Sequence, residues 1–285
     1  MLGCGLGWAA LDVLRKLLAG ALPPLAVVFW VALGQLPVVW LWDAAGGGGP
    51  VTGRYLLVAA GTVGLNILAN AAFVAALARS PLSLTVPLLS LIPAMTAAFA
   101  WPVLGERPAP LQIAGIALVV AGAVLLGGAG AESGSLGAWW RALRREPGTP
   151  LMLVTAVCWA LALPLDKMGV GLVGPARHGT WLVGGVVAGT LVLLLLVHGR
   201  RGLGGLTWKM APVLAASIAA AGIALVLQLL VIQIVLVGVV EAVKRAIGNF
   251  AALFVGAAFF REGMGWTKAI ALVAMAAGVV LILLT

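Results

Sequence analysis

The sequence predicts an all-α integral membrane protein: ten transmembrane helices arranged as two inverted five-helix repeats. Three observations carry this expectation. Of the 285 residues, 63% are hydrophobic and 9% are charged, where a soluble domain carries about 25% charged residues. The apolar runs repeatedly reach the roughly 20 residues that cross a hydrocarbon core. The two halves also resemble each other. Moving residues 83–127 forward by 156 positions carries Glu106 onto Glu262 and Gly122 onto Gly278, and a shift of 151 carries Trp8 onto Trp159 and Lys16 onto Lys167. Five spans per half is an odd number, so the second half must enter the membrane upside down. Inverted repeats of this kind are built around a site at the repeat interface near the bilayer midplane, exposed to the two sides in turn. The chain then divides into a first repeat over 1–128, a linker over 129–149 and a second repeat over 150–285.

Taken in order, the first span runs from about Leu2 to Ala19 and stops at Gly20. It lacks the basic leader of a signal peptide and carries Asp12, Arg15 and Lys16, so it reads as a spanning helix. The second begins at Pro23-Pro24 and runs to Trp42, and Gly46 to Pro50 is a flexible loop. The third covers Tyr55 to Ala78, with a turn at Arg79-Ser80-Pro81. The fourth covers Ser83 to Leu104 and is closed by Gly105-Glu106-Arg107-Pro108, and the fifth covers Leu111 to Gly127. Within the linker, Trp139, Trp140 and Leu143 alternate with Arg141, Arg144 and Arg145, which suits a short helix lying on the membrane surface. The sixth span is Leu151 to about Lys167, and the seventh is Trp181 to Val197. The eighth and ninth share the run from Met210 to Phe260, with a break near Gln233 to Gly238, and the tenth is Trp266 to Leu284.

The ninth span holds the most informative stretch. Glu241, Lys244 and Arg245 lie inside an apolar run, where each charge costs at least ~2.5–3.5 kcal/mol on insertion scales and must be paired or face a watery cavity. On a helix Glu241 is three and four positions from the two cations, so it neutralises one and leaves one over. That surplus suits another helix, a cavity or an anionic substrate.

The stretches 80–126, 163–170 and 241–262 resemble the drug/metabolite transporter superfamily of EamA type, above all in the helix–Gly105-Glu106-Arg107–helix pattern. Val243-Lys244-Arg245 is also similar to the basic pair of plastid phosphate translocators. The resemblance implies ten helices, a small-molecule substrate, no enzymatic activity, no cofactor, and a central cavity lined by helices 1, 3, 4, 6, 8 and 9. It puts Lys244 and Arg245 forward as the electrostatic anchor, with Glu241 beside them. It also makes Asp12 the best acidic residue for any proton or ion coupling, and Glu106 and Glu262 structural features of the helix hairpins.

Other residues divide between site and structure. Asp166 and Lys167 close the sixth span, where such groups reach water at little cost. Pro87 and Pro93 interrupt the fourth helix as kinks or gates, with Ser90 and Thr96 near to satisfy freed groups. Asn66 and Asn70 share a face of the third helix and suit either substrate or interhelical hydrogen bonds. Gly115, Gly122, Gly185 and Gly189 read as close-packing faces.

Several classes are disfavoured. The net charge of +9 is spread over helix ends and short loops, suiting lipid headgroups and topology rather than nucleic acid. Cys4 and Cys158 read as inert buried thiols, and His178 and His198 fall in loops without ligand partners, so no metal site is expected. No nucleophile, zinc-protease or nucleotide motif occurs. Counting Lys and Arg by side puts both termini outside the cell, whereas the resemblance implies both in the cytoplasm of a bacterial-type inner membrane. The rival to a secondary transporter is a non-transporting membrane protein whose charges hold anionic lipid or scaffold a membrane.

Overall fold

The protein's structure, a computed structural model, describes residues 1–81, 85–129, 136–260 and 265–284. Among these the chain is all-helical. The α-helices are α1 (Leu2–Ala19), α2 (Pro24–Gly46), α3 (Gly53–Arg79), α4 (Ile92–Leu104), α5 (Pro110–Ala129), α6 (Leu136–Arg145), α7 (Thr149–Val173), α8 (Pro175–His198), α9 (Ala211–Val231), α10 (Val237–Phe260) and α11 (Trp266–Leu283). Among the described residues, eight helical stretches are long and apolar enough to cross a membrane, which makes this an integral membrane protein. The remaining two long helices, α1 and α10, each carry three charged residues.

Local chemistry explains most boundaries. Gly105 ends α4 at φ 71°, the left-handed conformation that glycine adopts without penalty. Gly174 ends α7 at φ 85°, and Pro175 immediately opens α8. The break expected near Gln233 to Gly238 lies between α9 and α10. The short helix expected within residues 129–149 is α6. It buries Trp139 and Leu143, leaves Trp140 exposed, and holds Arg144 over the Trp140 ring at 5.4 Å.

Two expectations need correction. The fourth span is not one kinked helix but a 3₁₀ segment, Val86–Leu91, followed by α4. Pro87 and Pro93 each fall in the first two positions of those segments, where a missing N–H breaks no helical hydrogen bond. Ser83 lies outside the described residues, as does Glu262. The sixth span does not end at Lys167, nor does the seventh wait for Trp181. The helix α7 continues to Val173 because Lys167 finds an internal partner, Glu106 Oε1 at 2.7 Å, and does not need water.

Helix pairing follows a pattern of exchange between halves. The helix α1 packs on α9 and α3 on α7; α4 packs on α7 and α1 on α10. The pairs α2 with α8, α4 with α10 and α5 with α11 complete it. Each pairing reappears when the two halves trade places. At the α5–α11 crossing the backbones touch: a Cβ on Gly115 would lie 2.6 Å from the Gly278 carbonyl oxygen, and a Cβ on Gly278 would lie 2.6 Å from that of Gly115. Gly185 and Gly189 likewise face Val63 and Ile67 of α3. Replacing Gly115 with Leu therefore forces the helices apart and is expected to cost about 1–3 kcal/mol. A clearly lower melting temperature in detergent, without loss of helical circular dichroism in the folded state, checks this.

Candidate functional site

Glycines on α1 decide how closely the charged helix is held. A Cβ at Gly5 would sit 2.9 Å from Ile247, and one at Gly7 would meet Ala224 at 3.0 Å. With α1 drawn against α9 and α10, Lys244 Nζ lies 5.4 Å from the centre of the Trp8 ring. Opposite, Arg245 Cζ lies 5.9 Å from the Trp159 ring. Trp8 and Trp159 are the residues that the internal repeat equates, so each half supplies one indole face to one cation. A desolvated cation–π contact stabilises by roughly 0.5–2 kcal/mol.

These residues enclose a cavity of about 50 Å³. It has room for only a few waters, far below the ~300 Å³ of an ordinary small-molecule site. Its wall is built by Trp8 and Asp12 from α1 and Asn66 from α3. The other half contributes Trp159, Ala162, Leu163 and Asp166 from α7, Gln228 from α9, and Glu241, Lys244 and Arg245 from α10. Both halves of the chain thus contribute charges to one space.

Within the cavity, Lys244 Nζ donates to Glu241 and to Gln228 Oε1 at 3.1 Å. Arg245 Nε stands 3.7 Å from Glu241 Oε2, an ion pair too long for a hydrogen bond, and neither atom has a hydrogen-bond partner among the described residues. Glu241 thus faces both cations, holding Lys244 closely and Arg245 loosely. Asp12 makes no ion pair within 4.0 Å among the described residues. The wall holds three carboxylates and two cations, so the local balance is one carboxylate in excess rather than the surplus cation that the spacing on α10 alone suggested.

The remaining sequence candidates spread outward from this space. Asn66 donates to the Thr62 carbonyl at 3.0 Å and to Thr62 Oγ1 at 3.2 Å. Asn70, one turn on, donates to the Asn66 carbonyl and accepts from Arg15 Nη2, both at 2.7 Å. That bond, with the Phe73 ring 5.8 Å from its guanidinium, lets Arg15 sit buried in α1 rather than reach out to water. Ser90 is buried on the 3₁₀ segment outside the cavity wall, and Thr96 is buried with no partner for its hydroxyl among the described residues. Pro87 and Pro93 flank Ser90 and do not line the cavity.

Asp166 and His178 require the largest revision. Asp166 does not reach the membrane surface but is buried on the cavity wall, accepting from Thr62 Oγ1. His178 is not a loop residue. It lies in the first turn of α8, fully buried, with Nε2 3.2 Å from Asp166 Oδ1 and Nδ1 3.2 Å from the Tyr55 hydroxyl. His198 ends the same helix and is exposed. Sequence reasoning also passed over Gln228, and used Trp8 and Trp159 only as markers of the repeat. Their matched positions at the level of an intramembrane charge cluster were the available signal.

A helical membrane protein with a charged, tryptophan-walled cavity between its halves is the class that fold and geometry define. Residues 1–128 match the EamA-like transporter family. No curated protein matches the sequence. A solved structure titled "Crystal structure of protein" is 19% identical and aligns over 99% of this chain and 98% of its own, with a TM-score of 0.74. At that identity the likeness shows the fold.

Proposed function

We propose that the protein is a secondary transporter of ten membrane-crossing helices in two inverted repeats. It moves a small organic molecule with an anionic group by alternating access, as an exporter or exchanger in a bacterial-type inner membrane. The observation that carries this reading is the cavity itself, where α1 and α3 of one half meet α7, α9 and α10 of the other around buried charges. The exchange of helix pairings between halves and the family match over the first repeat support it. In this reading α1 and α10 are the spans whose charges exist for the site, which is the usual meaning of an ionisable residue at membrane depth.

Arg245 and Lys244 anchor the anion. Its acidic group takes the place of Glu241 beside Arg245, where the present contact is long and Nε is unpartnered. Trp8 and Trp159 flank the rest of the molecule, Asn66 and Asp12 offer polar contacts on the first-half side, and Glu241 keeps both cations satisfied between substrates. The cavity must widen to admit a substrate. The α4 segment, entered through the 3₁₀ turn that carries Pro87 and Ser90 and leads to Pro93, and α7, interrupted internally by Pro164 two residues before Asp166, suit such movement.

A thermal-shift screen of detergent-purified protein against organic anions, with Lys244→Ala in parallel, tests the reading. A ligand that binds the folded state at 100 times its dissociation constant stabilises it by about 2.7 kcal/mol. Stabilisation seen in the parent and lost in Lys244→Ala is the expected result. Stabilisation by anionic lipid alone, indifferent to the substitution, would instead favour a lipid-holding or scaffolding role.

A further inference from the structure

We propose that Asp166 and His178 form a proton-binding site that opens on the central cavity. The inference rests on the transport reading, to which it adds a coupled proton.

The geometry is a chain of hydrogen bonds from the cavity wall into a sealed compartment. Asp166 lines the cavity, and its Oδ1 accepts from Thr62 and stands 3.2 Å from His178 Nε2. The Tyr55 hydroxyl, 3.2 Å from Nδ1, closes the other side of the ring. Room for the imidazole comes from Gly169 on α7, where a Cβ would lie 2.5 Å from both Cε1 and Nδ1. Tyr55 and His178 are fully buried, so protons reach this site through Asp166 and the cavity.

The partners suit two protonation states. In the neutral ring, Nε2–H donates to Asp166 and Nδ1 accepts from the Tyr55 hydroxyl. When a proton is gained, Nδ1–H donates to the same hydroxyl, which rotates to accept it. Neither ring nitrogen is left unpartnered and no heavy atom must move. The pair passes from one net negative charge to none, which cancels the single excess carboxylate of the cavity wall. An anion arriving beside Lys244 and Arg245 adds negative charge to the same space. By reciprocity of binding, it strengthens proton uptake and is itself bound better by the protonated protein.

Other charges around the pair are already engaged or lie across the cavity. Asp43 of α2 is paired with Arg177 at 3.3 Å, and Lys167 with Glu106 at 2.7 Å. Arg15 of α1 is bonded to Asn70. Asp12, Glu241, Lys244 and Arg245 share the cavity wall with Asp166. Among the described residues no group of three His, Cys, Asp or Glu gathers here or elsewhere, so the donor set suits a proton rather than a metal ion.

The chain has only two histidines, so a His198→Gln protein carrying ¹⁵N-labelled histidine reports on His178 alone. Its ring nitrogen shifts are expected to change reversibly with pH, and the pH of that change is expected to move in Asp166→Asn. Tyr55→Phe provides a second variant should Asp166→Asn fail to fold, and it too is expected to move the change. A histidine that binds no proton would keep fixed shifts at every pH at which the protein stays folded, and that result overturns the proposal, as does a change unmoved by either variant. A flat titration leaves Lys244-dependent ligand binding standing, whereas a failed ligand screen removes the transport reading without touching the titration.

Discussion

Replacing Glu241 with Ala is expected to lower the melting temperature in detergent by roughly 10 °C, corresponding to about 3–5 kcal/mol. Glu241 is buried and is the only carboxylate within ion-pairing distance of Lys244 and Arg245 among the described residues. Removing it leaves two cations in a small cavity, with Gln228 still accepting from Lys244. A buried charge stripped of its partner costs far more than the pair contributed, because the desolvation already incurred is no longer offset. Two controls make the prediction sharp. Lys244→Ala should cost less, since Glu241 keeps Arg245. The double variant Glu241→Leu with Lys244→Leu should recover only part of the lost melting temperature, because Arg245 still lacks its carboxylate. A Glu241→Ala protein that melts within about 2 °C of the parent would mean that Asp12 or Asp166 takes over as counter-charge.

Glu106→Ala is expected to be the second most damaging change, at about 2 kcal/mol, discounted because Lys167 is partly exposed. The Glu106 carboxylate lies on the turn between α4 and α5, yet both of its contacts are in the other half. Its Oε1 pairs with Lys167 of α7 at 2.7 Å, and its Oε2 accepts the backbone N–H of Val237 at 2.9 Å, at the start of α10. A carboxylate at a helix N-terminus also meets the positive end of the helix dipole. One side chain therefore holds α7 and α10, the two helices that carry Asp166 and the cations Lys244 and Arg245, against the first half. Loss of Glu106 should both lower the melting temperature and weaken any Lys244-dependent ligand stabilisation. Glu106→Gln should retain part of both, because an amide oxygen still accepts from Val237. Equal losses in the Ala and Gln variants would show that the ion pair alone matters.

The Glu106 contacts show where sequence reading stops. Gly105-Glu106-Arg107 was recognisable as a helix-ending motif, and Gly105 does end α4 in the left-handed conformation. The direction in which Glu106 reaches was not recognisable, since a local pattern says nothing about which distant helix start lies opposite. The same limit separates Lys244 from His178. Lys244, Arg245 and Glu241 stood out because charge inside an apolar run is costly wherever the run folds. His178 follows Gly174-Pro175, a pair that reads as a loop, and its partners Tyr55 and Asp166 lie 123 and 12 positions away.

The sequence by itself determined the membrane-embedded helical class, the places where most helices stop, a short helix between α5 and α7 and the identity of the charged helix. Each depends on composition or on a residue's own backbone chemistry. Tertiary structure alone decided that Trp8 and Trp159 cover the two cations, that the cavity carries one carboxylate in excess, and that Asp166 turns inward to a buried histidine. Those outcomes depend on which helix faces are brought within hydrogen-bonding distance. In this chain the glycines at 5, 7 and 169 set part of that distance by admitting a neighbour where any side chain would have held it off.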